Sequence, residues 1–80
     1  MNDQEILGSI DQMVAEEHQL WDASEHGGLT EAQHARLGEL QVNLDRCWDL
    51  LRQRRARREY HQNPDEAQLR DAATVEHYKQ

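Results

Sequence analysis

Residues 37–51 read LGELQVNLDRCWDLL, and the spacing inside this stretch decides the fold. Leu37, Leu40, Leu44, Cys47, Trp48 and Leu51 recur three and four residues apart. That interval lines side chains along one face of an α-helix and forms the seam of a coiled coil. No period of two runs through the stretch, so it does not read as a strand. Polar residues fill the other positions, apart from Val42 and Leu50. Upstream, Thr30-Glu31-Ala32-Gln33 has the form of a capping box, with the threonine oxygen accepting from the Gln33 amide and the glutamine reaching back. Downstream, nothing interrupts the helix before Tyr60 to Asn63. The expected helix covers residues 30–60, a rod about 45 Å long at 1.5 Å per residue.

Toward the N-terminus, Gly27-Gly28 supplies a left-handed helix end and a turn. Ahead of it, Ile6, Leu7, Ile10, Met13, Val14, Leu20 and Trp21 fall on one arc of a helix expected over residues 3–25. Asn2 or Asp3 caps it, with acids in the first turn. Two long helices joined by so short a loop must run antiparallel. Residues 1–62 therefore read as an all-α, coiled-coil-like hairpin. Residues 63–80 are set apart by Asn63-Pro64-Asp65-Glu66, a helix-start pattern with proline in the first helical position. Only Leu69, Ala72, Ala73, Val75 and Tyr78 follow as apolar residues, so this tail is either a short helix that folds back or an arm.

Eighty residues make one small unit, and chains of this size bury only about 60% of their unfolded surface. Cys47 is the one cysteine, so no disulfide can compensate. The arc of the first helix is also wider than a single neighbouring helix covers. The remedy expected is self-association into a homodimeric four-helix bundle, with Leu7, Ile10, Val14, Trp21, Leu37, Leu44, Trp48 and Leu51 as its seam.

The net charge of −7 hides an asymmetry. Residues 1–51 carry eleven acids against Arg36 and Arg46, whereas residues 52–58, RQRRARR, carry five arginines and no acid. Arg52, Arg54, Arg55, Arg57 and Arg58 spread over roughly 220° of a helix, which makes a collar and not a groove-reading stripe. One reading pairs the collar with Asp3 and Glu5 at the start of the first helix, or across a dimer. The other docks it on an acidic partner protein. Nucleic acid is disfavoured by the overall charge and by the lack of an aromatic platform beyond Tyr60. No run approaches the roughly 18 apolar residues of a membrane span. The start, Met-Asn-Asp-Gln-Glu, is acidic and is read as no secretory signal. With the lone cysteine, this places the protein in a reducing cytoplasm.

Chemistry is hard to find in the chain. Glu17 falls in the middle of the apolar arc of the first helix. It reads either as a glutamate that is partly exposed near an open part of the bundle or paired with an arginine, Arg36 being the nearest candidate, or as a metal- or proton-handling carboxylate. Glu31-x-x-His34 matches half of a di-iron motif in form, but Glu31 points away from the seam and the pair sits in the first turn. His18, His26, His61 and His77 are scattered. Cys47 reads as a small core residue, and Trp21 and Trp48 as packing residues at stripe edges. No nucleophile elbow, phosphate loop or zinc motif is present, so neither an enzyme nor a cofactor is expected.

The run Leu44-Asp45-Arg46-Cys47-Trp48-Asp49-Leu50-Leu51-Arg52-Gln53-Arg54-Arg55-Ala56-Arg57-Arg58-Glu59 resembles a family of bacterial proteins of about this length, mainly actinobacterial. The opening Asp3 to Leu7, the step Glu16-Glu17-His18, and the tail from Asn63-Pro64-Asp65-Glu66 through Val75-Glu76-x-Tyr78 are similar too. The family is a domain of unknown function, so the resemblance implies no activity, cofactor or catalytic residue. The expectation is a non-enzymatic helical protein-protein interaction or regulatory protein. The alternative is a four-helix-bundle carrier of a metal or small ligand around Glu17 and the histidines.

Overall fold

The computed structural model describes residues 1–79, with side chains through His77. Helix α1 spans Asp3–Glu25, α2 spans Glu31–Glu59, a single 3₁₀ turn spans Pro64–Glu66, and α3 spans Ala72–Lys79. No strand occurs among the described residues. The two long helices form the antiparallel hairpin, as the seam pattern requires.

Both long helices begin on reciprocal caps. Asn2 accepts from the Glu5 amide at 2.8 Å while the Glu5 carboxylate accepts from the Asn2 amide at 3.1 Å. Thr30 and Gln33 repeat the arrangement at 3.1 and 2.8 Å. Each box satisfies amides that a helix start leaves without intrahelical partners. Helix α1 is followed, after its C-cap His26, by Gly27 and Gly28, both at positive φ, where a Cβ would be strained. Helix α2 ends without glycine: His61 takes the left-handed conformation (φ 59°), the Gln62 amide reaches Arg57 O at 2.7 Å, and the His61 amide reaches Arg58 O at 3.2 Å. This is the Schellman ending with a histidine in the glycine place.

Ile6, Ile10, Leu44 and Leu50 form the buried cluster, with Met13, Val14, Cys47, Leu51 and Ala67 packed against it. Ile6 and Leu40 are completely enclosed. The tail folds back. Asn63-Pro64-Asp65-Glu66 yields only the 3₁₀ turn, because α2 side chains take up the tail's backbone carbonyls and hold the chain along α2. Arg54 Nη1 donates to Pro64 O at 3.1 Å, Gln53 Nε2 to Gln68 O at 2.9 Å, and Arg46 Nε to Arg70 O at 2.8 Å. Helix α3 starts eight residues beyond Pro64, where Asp71 accepts from the Thr74 amide at 2.7 Å. Val75 is then buried, while the Tyr78 side chain lies outside the described residues. Among the described residues α1 and α3 both pack on α2 and not on each other. The molecule measures 51 × 25 × 15 Å.

Candidate interaction surface

The arginine segment divides in two. Arg54 turns inward and is only 5% exposed. Its guanidinium joins Asp3 of α1 at 2.5 Å, Asp65 at 3.0 Å and the Pro64 carbonyl, so one residue buckles both flanking elements to α2. This burial removes Arg54 from the collar that the sequence places at a partner's disposal. Arg58 also pairs with Asp3 at 2.9 Å, Arg57 approaches Glu66 at 3.6 Å, and Arg55 pairs with Glu59 at 3.2 Å within α2. Hydrogen bonding from Arg54, then from Arg58, holds the Asp3 carboxyl below its ordinary value of 3.8. Arg52 alone of the five makes no ion pair among the described residues. Arg52, Arg55 and Arg58 are the exposed cations of this end, and of these Arg58 is held by Asp3.

A second α2 feature escaped the sequence reading. Arg46, Asp49 and Gln53 form a polar stripe that serves the tail: Asp49 is buried, accepts from Gln53 at 2.9 Å and faces Arg70 at 3.3 Å. The off-seam apolar residues Val42 and Leu50 were its signal. Leu50 is buried toward the tail side, where Ala67 closes the cluster.

The face of α2 between α1 and α3 is uncovered. Of the residues assigned to a seam, Ile10, Leu37 and Leu44 are buried within the hairpin, and Val14 and Leu51 are half-buried against the core. Leu7, Trp21 and Trp48 stand 43%, 47% and 44% exposed. Their placement follows from rotation along the helices. Glu16 marks one flank of α1, where it pairs with Arg36 of α2 (Nη2 to Oε1, 3.0 Å). Leu7, Val14 and Trp21 lie about 140–180° around α1 from Glu16, hence on the other flank. Trp48 lies about 120° around α2 from Arg36, past the seam, and so emerges beside them. Next to Trp48 an open groove of about 660 Å³ runs along α2, walled by Glu17 of α1 and Glu76 of α3, over Gly38, Gln41 and Val42. Gly38 leaves it open, since a Cβ there would meet no atom within 4 Å.

Arg36 pairs with Glu16 and Glu39 and not with Glu17, which is half-buried at the open groove. Glu16 stands on the flank from which Arg36 emerges, and Glu17 looks into the groove. The Arg36 hydrogen bonds lower the Glu16 pKa. Glu31 and His34 are both exposed in the first turn of α2, and His18, His26 and His61 are exposed at separate places. No group of three or more His, Cys, Asp or Glu side chains among the described residues is arranged to hold a metal. Burial raises the Cys47 pKa, which keeps the thiol protonated and poorly nucleophilic. No helix among them is long and apolar enough to cross a membrane.

A family model described as "Protein of unknown function (DUF2630)" matches residues 2–80. Uncharacterized proteins of Mycobacterium tuberculosis (strains H37Rv and CDC 1551) and of Mycobacterium bovis are each 46% identical over 77 residues. The alignments cover 95% of this chain and 88% of each relative. No solved structure matches the chain.

Proposed function

The chain belongs to the DUF2630 family, whose description assigns no activity, and on that footing we propose that it is a non-enzymatic helical interaction module that associates with itself. The observation that carries this reading is the exposed flank of Leu7, Trp21 and Trp48 beside an open groove that α1 and α3 border without filling. Two exposed tryptophans and a leucine along one face are the composition of a docking surface, since aromatic side chains bury large area at low entropic cost. Size agrees. The molecule exposes 5850 Å² at 9.4 kDa. A compact monomer of that mass exposes about 5000 Å², so the excess is on the order of 800 Å², about one side of a standard interface. The exposed ends of Arg52 and Arg55 contribute to the rim of such a contact, where they meet an acidic surface. The protein works as a surface and not as a catalyst.

Light scattering behind size exclusion tests the reading. The expected mass is twice that of the chain, and Leu7→Glu and Trp21→Glu return it to one chain with helical circular dichroism unchanged. Both residues are exposed, so neither substitution disturbs the buried cluster. A wild-type protein that elutes as a single chain across the concentration range up to the millimolar overturns the proposal.

A further inference from the structure

We infer that the second copy docks antiparallel on this face, about a two-fold axis through Val14, so that the Trp48 indole of each copy lies in the groove of the other over Gly38. The inference rests on the self-association proposed above and specifies its geometry. Three observations converge on it. Leu7, Val14 and Trp21 are spaced by sevens, so Leu7 and Trp21 are equidistant from Val14. An antiparallel pairing of two α1 flanks centred on Val14 sets each Leu7 against a Trp21, large against small, and Val14 against itself. A slight left-handed supercoil keeps such a seven-residue stripe in register.

The groove supplies the second observation. The tight turn between Glu25 and Glu31 places Val14 level with roughly residue 42 of α2. Rotation about that level carries Trp48 of one copy to the Gly38 end of the groove in the other. There the glycine leaves open space, and Gln41 and Val42 form the floor. Glycine in mid-helix disfavours the helix, so Gly38 is a costly residue for α2 unless the missing side chain leaves room for another group.

Charge supplies the third. The exposed Arg52 and Arg55 stand at one end of the rod, and the exposed Glu25 and Glu31 stand at the loop end. The antiparallel arrangement brings arginines over acids at both ends. The other two-fold arrangement, with its axis along the rod, stacks arginines on arginines and acids on acids. Such complementarity fixes orientation and register more than it adds affinity.

Single-cysteine variants in a Cys47→Ala background distinguish the arrangements. Val14→Cys is expected to form a disulfide-linked dimer under mild oxidation. Leu7→Cys alone is expected to remain unlinked, because its two thiols lie about 21 Å apart along the rod. Leu7→Cys mixed with Trp21→Cys is expected to give the mixed dimer. Gly38→Leu, which fills the groove, is expected to weaken dimerisation at least about tenfold while leaving helicity intact or raised. A protein of dimeric mass in which Val14→Cys fails to link, or Leu7→Cys links to itself, overturns the arrangement and leaves self-association standing. A monomeric wild type overturns both.

Discussion

Arg54 is the residue on which the ends of the chain converge, and its consequences reach beyond one ion pair. Asp3 comes from the start of α1 and Asp65 from the tail, 51 and 11 residues away in sequence. A buried guanidinium left without its carboxylates is strongly unfavourable, whereas exposed arginines contribute little. Arg54→Ala is therefore expected to lower the melting temperature well below that of Arg52→Ala, which should stay close to wild type; equal effects in thermal denaturation would contradict the buckle. The same site sets an acid limit. The folded Asp3 pKa lies below the unfolded value of 3.8, so its contribution is complete above the unfolded pKa and is lost as pH falls through the folded one. Asp3→Asn is expected to flatten the fall in stability below pH 4 in acid titrations followed by circular dichroism. His61 offers a gain. An L-residue in the left-handed conformation is strained, so His61→Gly is expected to stabilise the fold by about 0.5–1 kcal/mol in chemical denaturation. The pairing of the arginine segment with Asp3 was one of two readings open from sequence, because an antiparallel hairpin brings those ends together. Which arginine turns inward depends on a rotation of a few tens of degrees, and RQRRARR does not fix that.

At the scale of the element, α2 carries two stripes and serves two partners. The seam from Leu37 to Leu51 receives α1, and its three-and-four spacing made α2 legible in the sequence, as the apolar arc of α1, Gly27-Gly28 and the Thr30 capping box did for the first helix, the turn and the second helix start. The second stripe receives the tail through polar groups, Arg46 and Gln53 donating to tail carbonyls and Asp49 facing Arg70, which leave no apolar period in the sequence. That is why the tail could be read equally as a helix or an arm, and why Asn63-Pro64 gave a single turn instead of a helix. The signals present were weak: Leu50 and Val42 off the seam, and Asp71 three residues before Thr74. Leu50 is the apolar link between the core and the tail. Leu50→Ala is expected to cost about 2–4 kcal/mol. Hydrogen exchange should show the amides of α3 losing protection first, while the centre of α1 retains it. Uniform loss across α1 and α3 would show instead that the tail and hairpin unfold as one unit.

For the whole molecule the question is what covers the flank of Leu7, Trp21 and Trp48. The loop and α3 occupy one side of α2, α1 occupies another, and Leu7, Trp21 and Trp48 are left beside an open groove. A short chain with so much surface draws part of its stability from whatever closes that flank. Binding that favours the folded form shifts unfolding by mass action, so stability becomes a function of protein concentration. If the cover is a second copy, a tenfold increase in concentration should raise the melting temperature by about 3–5 °C. Trp48→Glu places a charge where the partner's groove would receive an indole, and should abolish that dependence without lowering the melting temperature of the dilute protein by more than a few degrees. The comparison separates an interface residue from a core residue: a core substitution lowers the melting curve at every concentration and leaves its slope intact. A wild-type melting temperature that does not move with concentration would mean that the hairpin and its strap of tail are stable alone and that this face serves some other contact.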